Sequence, residues 1–234
     1  MISPLLANVF LHYVFDLWIH WWRRNHARGQ CIVIRYADDF VIGFEHESDA
    51  QACLAALHSR MQKFGLKLHP DKTRLIEFGR HAADRRRRAG LGRCETFDFL
   101  GMTHICGMTR KNQRFVLWRR SSIKKMRRKL AELQVEFRKR RHDSTGETGR
   151  WVRSVVRGWL QYHAVPNNMC RLDQFVTEVS KLWLHQLRRR SQRGRASWPW
   201  SRMNRLLSKY IPPPRILHPY PKDRFRARLA ARAV

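Results

Sequence analysis

The sequence predicts an α+β protein whose front half mixes short strands with helices and whose back half is almost wholly helical. Three observations predict it. Two short β-prone runs flank the adjacent carboxylates Asp38 and Asp39, which reads as a hairpin. Apolar residues recur at three- and four-residue steps before that hairpin and again from Ile123 onward. The charge is uneven as well: residues 1–117 hold 18 basic and 11 acidic residues, a net of +7, whereas 118–234 hold 30 and 7, a net of +23.

The 234 residues leave room for two small domains, and 43% hydrophobic content with nine tryptophans and twelve phenylalanines argues against wholesale disorder. The charge step divides the chain into 1–117, a helical segment 118–211, and an extended basic, proline-rich tail 212–234. A net charge of +30 repels itself and calls for a polyanionic partner, for which nucleic acid is the natural candidate. No apolar run reaches the roughly 20 residues of a membrane span, since Leu5 to Trp22 is broken by Asn8, His12, Asp16 and His20. Ser3-Pro4 stands where a signal peptide would carry its basic region, so no secretion and no membrane partner are expected. The five cysteines are odd in number and contain no CxxC pair, which fits a reducing cytoplasm. Cys94, His104 and Cys106 have zinc-ligand chemistry but no fourth donor at suitable spacing, so structural roles are expected for them.

Taken in order, Ser3 as N-cap and Pro4 at the first helical position begin an amphipathic helix with Leu5, Leu6, Val9, Phe10, Tyr13, Val14, Leu17 and Trp18 on its apolar face. Cys31–Tyr36 and Phe40–Phe44 form the hairpin. A second helix carries Cys53, Leu54, Leu57, Met61 and Phe64 and stops at Gly65. Leu66–His69 and Arg74–Phe78 suggest another strand pair around Pro70-Asp71, and Arg85–Arg88 a basic loop. Phe97–Gly101 and Phe115–Leu117 read as further strands. Ile123, Met126, Leu130, Leu133 and Phe137 mark a heptad seam on a basic helix, and Trp151–His163 and Leu172–Arg190 complete a three-helix bundle.

Adjacent carboxylates repel unless a cation joins them, and Mg²⁺, a hard ion that takes carboxylate and phosphate oxygens, is the natural one. Two-metal phosphoryl transfer draws its carboxylates from separate strands, so Asp38 and Asp39 supply only part of such a cage. A bare Asp-Asp is also common in solvated turns.

Tyr36-Ala37-Asp38-Asp39 matches the signature of bacterial reverse transcriptases. Ile2-Ser3-Pro4-Leu5-Leu6-Ala7-Asn8 resembles the block before it in group II intron enzymes, Leu66-x-Leu68-x-Pro70-x-Lys72-Thr73 the block after, and Phe97-Asp98-Phe99-Leu100-Gly101 the next. Gly158-Trp159-Leu160-Gln161-Tyr162 resembles the maturase domain of that family, and Arg215-Ile216-Leu217-His218-Pro219-Tyr220-Pro221 its tail. The resemblance implies a partial right-hand polymerase palm followed by an all-α thumb and maturase bundle, acting as a group II intron reverse transcriptase and maturase.

On that resemblance Asp38 and Asp39 are the catalytic, Mg²⁺-binding pair, and Tyr36, Ala37, Lys72 and Gly101 lie at the nucleotide or primer. Arg127, Arg128, Arg138, Lys139, Arg140, Arg141, Arg188, Arg189 and Arg190 are candidate RNA contacts. Trp151, Trp159, Tyr162 and Trp183 are of a kind that stacks on unpaired bases, although at helical spacing such rings are more often core. Intron RNA is the implied partner, with an RNA template and DNA primer for a chain extended upstream; no small-molecule cofactor is implied. The family's first catalytic aspartate lies upstream of the Ser-Pro-Leu-Leu block, so the two-metal site is expected to be incomplete and the chain alone inactive in DNA synthesis. Asp16 is read as a solvated helix carboxylate that cannot replace it. The alternatives are a non-enzymatic RNA-binding splicing cofactor and a decayed remnant.

Overall fold

The computed structural model describes residues 3–109 and 111–220; the expectations for Ile2 and for the tail from Pro221 onward lie outside the described residues. The chain separates into two compact units, Met1–Glu77 and Phe78–Val234. The α+β expectation holds, and residue 118, where the charge step falls, lies inside a strand of the second unit.

In the first unit a continuous helical run comprises α1 (Ser3–Leu11), a π-helical turn (His12–Asp16) and α2 (Leu17–Asn25). After it come the antiparallel pair β1 (Cys31–Tyr36) and β2 (Asp39–Phe44), and then α3 (Glu47–Lys63). The core consists of Val14, Phe15, Ile19, Trp22, Cys53, Leu57 and Met61. The apolar face differs from the predicted one: α1 buries nothing, and Leu5, Leu6, Val9 and Phe10 are exposed. A π turn adds a residue to the helical repeat and re-aims the side chains beyond it. Val14 and Phe15, consecutive in sequence, are both buried inside that turn. The expected strand pair at 66–69 and 74–78 is not formed; no strand is assigned there. Leu66 and Leu68 satisfy their alternation by packing on the helical core, and only the turn survives, with the amides of Lys72 and Thr73 donating to His69 O.

In the second unit Arg85–Arg88 belong to a helix rather than a loop, α4 (Arg80–Arg88). Arginine is a good helix former, and Ala82 anchors this helix on a small core with Cys94 and Cys106. Then come β3 (Phe97–Phe99), β4 (Met102–Met108) and β5 (Phe115–Ser121) in an antiparallel sheet ordered β3-β4-β5. The main core is helical: α5 (Ile123–Lys139), α6 (Thr145–His163), α7 (Met169–Arg188), the short α8 (Gly194–Ser197) and α9 (Trp200–Tyr210). Met126, Leu133, Phe137, Val156, Phe175 and Trp183 form its centre, and Met203 of α9 joins them. The predicted three helices therefore gain a fourth, which a neighbourhood of prolines had concealed. The α6 start carries a full capping box, with Ser144 Oγ accepting from the Glu147 amide and the Glu147 carboxylate accepting from the Ser144 amide.

A buried polar joint ties the sheet to the bundle. Asn168 Oδ1 accepts from the Ser121 amide (2.9 Å), while Asn168 Nδ2 donates to Ser121 Oγ (2.8 Å) and to His163 O (2.7 Å). The Ser121 hydroxyl shares a 3.0 Å hydrogen bond with His163 Nδ1, and the imidazole stacks on Trp159. Burial, aided by the charge of Lys125, pushes His163 down to about 4. Between about 6.5 and 4 the unfolded chain takes a proton that the folded one refuses. The contribution of this histidine to stability is thus complete above about pH 6.5 and is lost as pH falls towards 4. The urea midpoint is expected to drop between pH 7 and pH 5, and His163→Gln to flatten that drop; an unchanged slope in the variant would refute the assignment.

Candidate functional site

The hairpin register pairs Tyr36 with Asp39 and Arg35 with Phe40, leaving Ala37 and Asp38 as a two-residue turn. Ala37 sits at φ +53, a left-handed conformation that costs a non-glycine residue roughly 1–2 kcal/mol. Such strain persists only where surrounding contacts fix it. Here the fixing group is Arg35. Its Nε and Nη2 donate to the two carboxylate oxygens of Asp16 at 2.7 and 2.6 Å, and its Nη1 donates to Asn8 Oδ1 (3.0 Å) and to Ala37 O (2.8 Å). The helical run thereby holds the carbonyl at the centre of the turn.

Asp16 is consequently not a solvated helix carboxylate. Hydrogen bonding from Arg35 holds its carboxyl below the usual range, against the opposing effect of desolvation, and His12 adds a further contact at 3.4 Å.

Asp38 and Asp39 are exposed, as are Tyr36 and Ala37, and among the described residues neither carboxylate makes an ion pair or hydrogen bond. Two adjacent free carboxylates have the hard oxygen donors that Mg²⁺ prefers. The described residues contain no group of three His, Cys, Asp or Glu able to hold an ion, and Asp16 is already committed to Arg35. Lys72, also in the first unit, is exposed at the end of its turn.

Gly101 lies in the second unit. It is buried between β3 and β4 at φ +77, a conformation that favours glycine, with Lys125, Tyr162 and His163 around it. Its carbonyl accepts from the Ser122 amide at 3.0 Å. The Cys94, His104 and Cys106 set resolves into packing. Both cysteines are buried, the Cys106 thiol is pushed up to about 11 chiefly by burial, and His104 stacks on Phe97.

The basic candidates divide by surroundings. Arg127, Arg128, Arg138, Lys139 and Arg189 are exposed. Arg140 lies over Trp151 and pairs with Glu136 and Asp143, Arg141 donates to Gln186 Oε1, and Arg188 donates to Trp198 O. Arg190 is half-buried, with desolvation lowering its pKa. These four serve the fold. Sequence reasoning passed over Lys124, Lys125, Arg150, Arg153 and Arg157, all exposed; the last three repeat at helical spacing on α6, a signal that was available. Of the four aromatics, Trp183 is fully buried, Trp151 packs edge-on against Phe137, and Trp159 is stacked between His163 and Phe175. Tyr162 is 52% exposed, its hydroxyl donating to Leu100 O at 2.6 Å.

By unit, residues 1–77 carry nine basic and eight acidic residues, a net of +1, and residues 78–234 carry 39 and 10, a net of +29. The second unit holds almost the entire charge.

Residues 1–104 match the family model described as reverse transcriptase (RNA-dependent DNA polymerase). The match includes the hairpin and its carboxylates and supports a reverse transcriptase. No curated protein matches the chain.

Replacing Arg35 with lysine keeps the charge but removes the planar fork that reaches Asp16, Asn8 and Ala37 together. Arg35→Lys is expected to destabilise the first unit by about 2 kcal/mol. Amide hydrogen exchange at residues 36–40 should accelerate; exchange as slow as in the parent chain would show that the turn does not depend on the guanidinium.

Proposed function

We propose that this chain is a reverse transcriptase and maturase-type protein of a group II intron, in which the second unit grips intron RNA and the hairpin carboxylates are the polymerase pair. One observation carries the RNA part: a net +29 resides on a unit whose helical core is apolar, so its cations lie largely on solvent faces. RNA phosphates relieve that self-repulsion, and counterion release makes such binding strongly salt-dependent. No helix among the described residues is long and apolar enough to cross a membrane. A bacterial, nucleic-acid-associated location goes with this reading.

Within the hairpin, Asp38 and Asp39 present oxygen donors from a turn that Arg35 fixes, and exposed Tyr36 offers an apolar platform for a nucleotide or primer end. When bound, Mg²⁺ supplies charge neutralisation to phosphoryl transfer. The charge of the second unit by itself favours a second reading, in which the protein is a splicing cofactor that folds intron RNA and synthesises no DNA.

Purified protein is expected to bind a group II intron RNA with a log K against log salt slope that weakens by roughly 0.7–0.9 for each phosphate contact removed, for example by Arg127→Gln or Arg153→Gln. Equal slopes in the parent chain and both variants would refute the assigned surface.

Asp38→Asn with Asp39→Asn is expected to leave RNA affinity and intron splicing unchanged. Primer extension on an RNA template should give no measurable product with the chain alone. Loss of splicing in the double variant would couple the two functions, and robust Mg²⁺-dependent synthesis would show that the carboxylate set is sufficient.

A further inference from the structure

A cleft of ≈ 440 Å³ opens in the first unit between α2 and α3. It is remote from the carboxylates: β1 runs six residues from the loop bordering the cleft to the Ala37-Asp38 turn, roughly 20 Å at the strand rise. From α2 come the indoles of Trp18, Trp21 and Trp22, and from α3 the small side chain of Ala52; His26, Arg28, Ser48 and Asp49 supply the polar groups of the lining. The volume lies in the range of small-ligand sites, which pair apolar walls with a few placed polar groups.

Asp49 is the telling residue. It is only 5% exposed, and its Oδ2 accepts the amides of Arg28 (2.8 Å) and Gly29 (3.1 Å). Among the described residues no hydrogen bond reaches Oδ1, yet Oδ1 is not one of the unpartnered atoms sealed from solvent. Asp49 lines the aromatic cleft, and its second carboxylate oxygen has acceptor capacity left for N–H donors. Arg28 lines the same cleft beside this carboxylate, so a ligand that suits both offers N–H donors to Asp49 and an anionic group to Arg28. The matching ligand is neutral and planar with neighbouring N–H donors, and a phosphate attached to it would suit Arg28 at the mouth. Guanine has those donors, N1–H and the N2 amine, side by side on one edge.

We propose that this cleft binds a guanine base, with Trp21 stacking on the ring, Asp49 Oδ1 accepting from the N1–H and N2–H edge, and Arg28 meeting the attached phosphate. No residue of the carboxylate hairpin takes part, so the site stands apart from the polymerase reading. The base has two possible sources, a free guanine nucleotide and an unpaired guanosine in an RNA strand.

The test is a titration of the full chain, monitored by tryptophan fluorescence, with GMP, IMP and AMP, and with a short oligouridine carrying one guanosine against the all-uridine strand. GMP, or the guanosine-bearing strand over the all-uridine one, is expected to bind about tenfold or more tightly than its control. IMP, lacking the N2 amine, is expected to fall below GMP. Guanosine preference in the strand without binding of GMP identifies RNA as the source; binding of GMP at least as tight as the strand identifies the free nucleotide. Trp21→Ala, at a 54% exposed position, and Ala52→Leu, which fills the cleft from an exposed position, should each weaken guanine binding about tenfold while leaving thermal unfolding unchanged. Equal binding of GMP and AMP together with no guanosine preference in the strand, or variants that bind like the parent, would overturn the proposal.

Discussion

A guanidinium has five N–H donors in a fixed fork, and in Arg35 four bonds are already committed, two to Asp16 and one each to Asn8 and the carbonyl of Ala37. These bonds join three stretches of the chain: α1, the π turn and the strand that leads to Asp38. A two-stranded hairpin is marginal by itself, and this one further carries a left-handed alanine at its tip. Its geometry is therefore borrowed from the helical run. The same bonds decide what Asp16 can do, since a carboxylate engaged through both oxygens is occupied by its cation.

The second unit meets a different constraint. Carrying +29, it keeps its cations off the apolar core: among the described residues no lysine or arginine is fully buried. Of the half-buried arginines, Arg140 lies on the face of Trp151 and Arg188 donates to the Trp198 carbonyl, whereas desolvation lowers the pKa of Arg190. The exposed Arg202 lies over the ring of Trp198. The remaining cations repel one another across the solvent faces, so folding stability and nucleic-acid affinity draw on the same electrostatic source. Phosphate that approaches these faces stabilises the fold by removing a strain the fold itself created.

Much of this was legible from local chemistry. The hairpin declared itself through β-branched runs around Asp38 and Asp39, α3 through its period and its stop at Gly65, and α5 through its heptad seam. What escaped depended on partners distant in the chain. Leu66 and Leu68 alternate like a strand but found a helical core. Arg85–Arg88 read as a basic loop because charge masks helix propensity when the single anchoring residue of α4 is Ala82. The bond from Arg35 to Asp16 spans 19 residues and has no signature in composition, and the division after Glu77 is invisible to a charge count that placed its step inside β5. The carboxylate pair could be read from sequence; the clamp that aims it could not.

The π-helical turn at His12–Asp16 imposes an asymmetry on how this segment can change. Substitutions there trade one side chain for another, but deleting a single residue would let the run relax into an uninterrupted α-helix with the faces on either side kept in phase, because a π turn holds one residue more than the α-helical turn it replaces. Asn8 and Asp16 would still share a face, about seven positions apart, whereas the consecutive pair Val14 and Phe15 would no longer both reach the core. The extra residue is thus a local device that aims two neighbouring side chains inward without disturbing the helices it joins.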